Sequence, residues 1–222
     1  MTSLLRTIEI ETRPQPRASL IVLHGLGASG DDFVPIAAEL DLETIGGVRF
    51  VFPHAPERRI TINNGMRMPA WYDISDADLT RREDEASLRE SQAAIEALID
   101  EEKRRGMPAS RIVLAGFSQG CAMALMTGLR HPERLAGIVG LSGYLPLLDK
   151  TLAERHSANA DVPIFLAHGR QDPVVPLARG SASRDALQAM GHEVEWHEYD
   201  MPHSVCTEEI EDLNRWLLRV LA

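Results

Sequence analysis

Short apolar runs alternate along this chain with longer stretches of helical spacing. Ser19–His24 (SLIVLH) has the length and composition of a strand buried on both faces. It runs into a Gly-rich turn, Gly25-Leu-Gly-Ala-Ser-Gly30, after which Asp31–Leu40 reads as a helix. Val48–Phe52 is the next expected strand. Glu83–Arg105 carries a strong helix signal. Its first turn is acidic (Glu83, Asp84, Glu85), Leu88, Ile95, Leu98 and Ile99 share one face, and Lys103, Arg104 and Arg105 precede Gly106 and Pro108. Further strands are predicted at Arg111–Ala115, Ala136–Leu141, Val162–His168 and Val194–Tyr199. Helices are predicted at Gln119–Arg130, Leu177–Met190 and Thr207–Leu221, the last with Ile210, Leu213, Leu217 and Val220 in register.

Strands that alternate with helices imply βαβ units and a mostly parallel sheet covered on both faces. No repeat, low-complexity tract or linker interrupts the pattern, so residues 1–222 read as a single domain. In such sheets ligands sit beyond the carboxyl ends of the strands. The turns that follow the strands are therefore where chemistry is sought.

After the strand at Arg111–Ala115 comes Gly116-Phe-Ser-Gln-Gly120, and then a helix. This is a G-x-S-x-G sequence between strand and helix. The two glycines relieve crowding at a sharp turn, and Ser118 is left with its Oγ exposed. The N–H of Gln119 stays free at a helix N-terminus, where the dipole favours developing negative charge. A serine helix cap in a Gly-rich turn would carry the same letters, so partners decide the reading.

Those partners are expected in the order Ser, Asp or Glu, His, each on a turn after a strand. Asp172 lies in the turn after Val162–His168, whereas Asp161 and Asp185 do not follow a strand end. His203 lies after Val194–Tyr199. His197 sits within that strand, and His24 and His168 each precede a glycine and read as turn-shaping residues. His203 would take the Ser118 proton as general base and return it to the leaving group, with Asp172 fixing the imidazole tautomer. If the Gln119 backbone is a donor to the oxyanion, Gln119→Ala is expected to be mild and Gln119→Pro severe. No metal-ligand spacing and no Walker lysine are present, so neither a metal nor a cofactor is expected.

Composition narrows the partners. Hydrophobic residues form 44% of the 222-residue chain, enough for a folded core rather than disorder. Lys and Arg total 23 against 33 Asp and Glu, a formal charge of −10 that repels nucleic acid and anionic membrane surfaces. Two cysteines, Cys121 and Cys206, make no disulfide scaffold. Cys121 reads as a small packing residue behind the elbow. MTSLLRTIEIET is a poor signal peptide and no apolar stretch is long enough to span a bilayer, so a cytoplasmic protein is expected. A homodimer is left open.

The residues also carry a family resemblance. His24-Gly-Leu-Gly27 with Asp31-Asp-Phe33, Pro53-His-Ala-Pro56, Thr61-Ile-Asn, Met68-Pro-Ala-Trp-Tyr-Asp73, Gly116-Phe-Ser-Gln-Gly120, Asp172-Pro-Val-Val and Met201-Pro-His203 span nearly the whole chain. In these motifs it resembles the bacterial carboxylesterase and acyl-protein thioesterase family of α/β-hydrolases. The resemblance implies the α/β-hydrolase fold and a triad of Ser118, Asp172 and His203. It also implies an oxyanion hole from the N–H groups of Leu26 and Gln119, and Trp71 as a wall of the substrate cleft, for which core packing is the rival reading. Three positions depart from the family's usual residues: Cys121 and Pro202 stand where Gly is common, and Gln171 where Asp is common. The expected activity is a serine carboxylic-ester hydrolase acting on short- to medium-chain esters. The alternatives are acyl-protein thioesterase or lysophospholipase activity, a non-catalytic binding protein on the same fold, and a peptidase. The expected partner is a small-molecule ester or thioester.

Overall fold

The computed structural model describes residues 4–75 and 83–222. Nine strands and six α-helices are present among these residues: β1 Thr7–Glu11, β2 Ala18–Leu23, β3 Val48–Pro53, β4 Glu57–Ile60, β5 Met66–Pro69, β6 Ile112–Phe117, β7 Gly137–Leu141, β8 Ile164–Gly169 and β9 Val194–Tyr199, with α1 Ile36–Glu39, α2 Glu85–Arg104, α3 Gln119–Arg130, α4 Leu148–Glu154, α5 Leu177–Ala189 and α6 Thr207–Val220. Seven strands form one sheet in the order β1-β3-β2-β6-β7-β8-β9. β1 pairs antiparallel with β3, and the remaining pairs are parallel. β4 and β5 make a separate antiparallel hairpin.

The apolar runs are buried on both faces because successive side chains point to opposite sides. Ile21, Leu23, Ile112, Leu114, Ile138 and Leu166 face a core shared with α2 and α3. Leu20, Val22, Phe50, Val113, Val139 and Phe165 face the other core, closed by Ile210, Leu213, Trp216 and Leu217 of α6. Every residue of α3 is buried. On the rim, Arg49 is held between Glu11 and Glu102 at 2.9 Å each, tying the two outer strands to α2. Arg49 and Glu102 are the buried pair, and removing Arg49 would leave the Glu102 carboxylate short of its buried partner.

From β2 the chain goes outward to β3, and from β6 it goes the other way to β7. The strand order thus reverses between β2 and β6, and crevices at such reversals are where ligands bind in open α/β sheets. The turns at the ends of these two strands are Gly25–Gly30 and the Ser118 elbow.

One expected helix is corrected. Asp31–Leu40 is not continuous: Gly30–Phe33 forms a 3₁₀ turn, and a single α-turn follows at Ile36–Glu39. Pro35 sits between them, and lacking an N–H it can begin a helical segment but cannot continue one.

α6 opens just after His203, and its first turn buries a carboxyl. Glu209 is fully buried, and neither oxygen makes a well-aligned hydrogen bond among the described residues. Burial pushes this carboxyl from 4.5 up to about 8, the Cys206 N–H pulling weakly the other way. Between those two values the folded chain keeps a proton that the unfolded chain releases. Stability is therefore expected to fall as pH rises through that window, by at most about 1.4 kcal/mol per unit, and to level off above it. Denaturant melts of wild type and Glu209→Gln across the window check this: the variant should lose less stability than wild type.

Candidate active site

Ser118 joins β6 to α3 with φ 56° and ψ −116°. This is a sparsely populated conformation for a residue with a side chain, and costs on the order of 1–3 kcal/mol. The surroundings enforce it. Ser118 N–H donates to Leu141 O at 2.9 Å, and Ala122 N–H donates to Ser118 O at 3.2 Å. A Cβ on Gly116 would overlap the Gly120 carbonyl, and one on Gly120 would overlap the Leu23 carbonyl. The elbow can therefore close only with glycine at both places. Gly25 also lies against Ser118, since a Cβ there would sit 3.3 Å from Ser118 Cβ.

The structure joins the two other predicted residues directly. His203 Nδ1–H donates to Asp172 Oδ2 at 2.6 Å. Asp172 Oδ1 accepts from Val174 N–H at 2.8 Å and Val175 N–H at 2.9 Å, and its side chain is wholly buried. The loops that carry them are laced together. Arg170 N–H donates to Tyr199 O and Gln171 N–H to Met201 O, while Gln171 Nε2–H donates to Asp200 Oδ1. The His203 ring packs 4.7 Å from the ring of Phe117, the residue next to Ser118. With Nδ1 donating to Asp172, Nε2 is left as the acceptor in a neutral imidazole.

Among the other histidines, His168 and His24 bond backbone groups, and His168 Nε2 also lies 3.5 Å from Asp172 Oδ2. His168 Nε2 bonds Val175 O at 2.8 Å, and His24 bonds Gly25 O and Ala55 N–H. Burial lowers both from their ordinary value. His197 stacks between Phe165 and Tyr199. Cys121 is buried, its sulfur fitted against Gly140 and Gly143, and desolvation drives its thiol well above the usual range. Cys206 precedes α6, and its thiol is also raised by burial. Both cysteines are free thiols.

Of the two candidate oxyanion donors, Gln119 opens α3, where N–H groups have no intrahelical acceptor. Leu26 is in the turn whose Gly25 borders Ser118.

Two expectations about side chains are corrected here. Trp71 is 0% exposed and offers no surface to a ligand, so it is not a cleft wall. Its indole N–H donates to His24 O at 2.8 Å. The Gln119 side chain is equally committed: Oε1 accepts from Trp71 N–H at 3.0 Å, and Nε2–H donates to Tyr72 O at 2.9 Å. Gln119→Ala therefore strands two buried backbone groups, at about 1–3 kcal/mol each, and is not the mild change expected from sequence.

This sheet, its order reversal and the serine elbow define an α/β-hydrolase fold. A family model described as phospholipase/carboxylesterase matches residues 6–221. The chain is 42% identical over 215 residues to acyl-protein thioesterase 1 of Yarrowia lipolytica, covering 95% of each protein. It is likewise 42% identical over 188 residues to acyl-protein thioesterase 1 of Schizosaccharomyces pombe, covering 84% of this chain and 83% of that one. The crystal structure of Zea mays acyl-protein thioesterase 2 superposes with a TM-score of 0.85 at 29% identity, over 98% of this chain and all of that one. The chain belongs to the phospholipase/carboxylesterase family and is a hydrolase of its carboxylesterase and acyl-protein thioesterase kind. These sequence relatives are fungal, and they do not support the bacterial origin attached to the resemblance. No described helix is long and apolar enough to cross a membrane.

Proposed function

We propose that the protein hydrolyses acyl thioesters of proteins through a Ser118 acyl-enzyme, with esters as weaker substrates of the same site. The observation that carries the chemistry is the 2.6 Å bond from His203 Nδ1–H to Asp172 beside a strained, glycine-walled Ser118. The thioester class is supported by the relatives' names and by matches that run the length of both chains.

In the first half-reaction Ser118 Oγ attacks the thioester carbonyl carbon and His203 Nε2 accepts its proton. The carbonyl oxygen becomes an oxyanion, which the Leu26 and Gln119 N–H groups face. Collapse breaks the C–S bond, and His203 delivers the proton to the departing sulfur. Water repeats the sequence on the Ser118 ester, yielding the carboxylic acid and free serine. Asp172 stabilises the imidazolium in both halves.

The leaving group must stand where His203 can protonate it. A cavity of about 620 Å³ has His203 and Phe117 in its wall, with Phe33, Ile36 and Val205, and gives the thiol side of the substrate room. A second cavity of about 720 Å³ is lined by Tyr144, Leu145 and Leu148 on one part of its wall and by Glu83, Asp149 and Arg179 on another. Its apolar part is the side we assign to an acyl chain.

The test compares an S-acylated cysteine peptide, followed by thiol release, with a p-nitrophenyl ester of the same acyl chain. A higher kcat/KM on the peptide thioester is expected. Turnover of the ester with none of the thioester would support a small-ester carboxylesterase instead. Failure of Ser118 to react with a fluorophosphonate would point to a non-catalytic binding protein.

A further inference from the structure

A chain of buried hydrogen bonds links the residues that carry the two N–H donors, and none of it takes part in the proton transfers described above. Gln119, which supplies one donor, ends its side chain on Trp71 N–H and Tyr72 O. The Trp71 indole N–H ends on His24 O at 2.8 Å, while Ser91 Oγ–H donates to Trp71 O. His24 Nε2 accepts from Ala55 N–H at 3.0 Å, which puts the ring proton on Nδ1. Nδ1–H then donates to the Gly25 carbonyl at 2.7 Å, an oxygen that also takes the longer 3.3 Å bond from Ala28 N–H. His24 and Trp71 are fully buried and Gln119 is 3% exposed, so water does not compete for these bonds.

The last of these contacts bears on catalysis through the geometry of a single peptide. The Gly25–Leu26 unit is planar and trans, so its C=O and N–H point in opposite directions. Holding the Gly25 oxygen on His24 fixes where the Leu26 N–H points. The same peptide begins at a glycine packed against Ser118. The other donor, Gln119 N–H, belongs to the residue at the far end of the chain of bonds. The separation of the two donors is thus set by side chains, not by the loops alone.

We propose that His24 and Trp71 are positioning residues of the oxyanion site, a hydrogen-bonded brace that fixes Leu26 N–H relative to Gln119 N–H. The inference rests on the serine-hydrolase reading and deepens it. Burial lowers the His24 imidazole from its ordinary value, toward the neutral form that the Nε2 acceptor role requires. Preorganised donors matter more in the transition state than in the ground state, because the oxyanion exists only there. Loosening the brace should therefore act on kcat and spare KM.

The experiment measures kcat, KM and the affinity of an alkylboronic acid for wild type, His24→Leu, His24→Asn and Trp71→Phe. The boronate adds to Ser118 as a tetrahedral adduct with an oxygen in the oxyanion site. His24→Leu is expected to lower kcat by about 10–100-fold, less than the 10²–10³ of outright donor loss, with KM changed by no more than about twofold. Boronate affinity should fall by the same factor as kcat. His24→Asn sets an amide N–H near the place of Nδ1 and should recover most of both. Trp71→Phe keeps the ring packing, loses the indole donor, and should give a smaller loss of the same pattern. Unchanged kcat in a folded His24→Leu protein would overturn the proposal. So would a kcat loss without weaker boronate binding, or an asparagine no better than leucine. If His24→Leu fails to fold, the match between kcat and boronate affinity in Trp71→Phe decides alone. A wild type that neither turns over nor binds the boronate would contradict the serine-hydrolase reading itself. An active wild type with insensitive variants would contradict only the brace.

Discussion

Ser118→Ala is expected to reduce kcat by about 10⁴–10⁶-fold while leaving the fold intact. Alanine keeps the Cβ, so it inherits the same strained φ of 56° and removes only the Oγ. The elbow is held by backbone bonds to Leu141 and Ala122 and by glycine contacts at Gly116 and Gly120, none of which involves the hydroxyl. Thermal melts should therefore stay close to wild type, and single-turnover assays should show no acyl transfer. A folded variant that retained a tenth of wild-type turnover would remove Ser118 from the mechanism.

Asp172→Asn should be nearly as severe, lowering kcat by about 10⁴-fold. The reason lies in what surrounds the carboxylate. Val174 N–H and Val175 N–H both point at Oδ1, so an asparagine must keep its carbonyl oxygen there. Its amide nitrogen then faces His203 Nδ1, where Oδ2 now accepts at 2.6 Å. A donor opposite Nδ1 forces the imidazole proton onto Nε2, and that nitrogen can no longer accept from Ser118. The loop should be undisturbed, so stability changes little relative to activity. ¹⁵N NMR of the imidazole in wild type and variant would show the tautomer exchange. A normal tautomer together with a large loss of kcat would mean that Asp172 acts in some other way.

The parts of the fold legible in the sequence were those whose signal is local. The expected strands Ser19–His24 and Arg111–Ala115 share SLIVL and IVLA with β2 and β6, and those residues are buried on both faces, as inner strands are. The stripe Leu88, Ile95, Leu98, Ile99 marks α2 because that face meets the sheet. β1 carries no such signal: TIEIE is an edge strand whose isoleucines are only half-buried. The β4–β5 hairpin is not legible locally because ERRI shows no apolar alternation and MRMP alternates over only three residues before a proline. It is fixed by long-range bonds, such as Gly27 N–H to Pro69 O. α4, only seven residues long, lacks a periodic stripe.

The site divides along the same line. Gly116, Ser118 and Gly120 encode their turn by spacing alone, and Asp172 and His203 stand where strands end. The joining of His24, Trp71 and Gln119 had no local sign. His24 O and Trp71 Nε1 are 47 residues apart in sequence, and Trp71 N and Gln119 Oε1 are 48 apart. Only the packing of two loops against α3 brings them into contact. For Trp71, an aromatic beside a motif reads equally well as a pocket wall or as core, and burial decides for core.

The central claim is a covalent acyl-enzyme on Ser118, and it can be observed directly. The protein is mixed with an S-acylated cysteine peptide, quenched in acid within a turnover, digested, and analysed by mass spectrometry. The expected spectrum carries the acyl mass on the peptide containing Ser118, gained at the rate of thiol release and absent in Ser118→Ala. Thiol release with no acyl group on Ser118, or with the acyl group on Cys206, would contradict it.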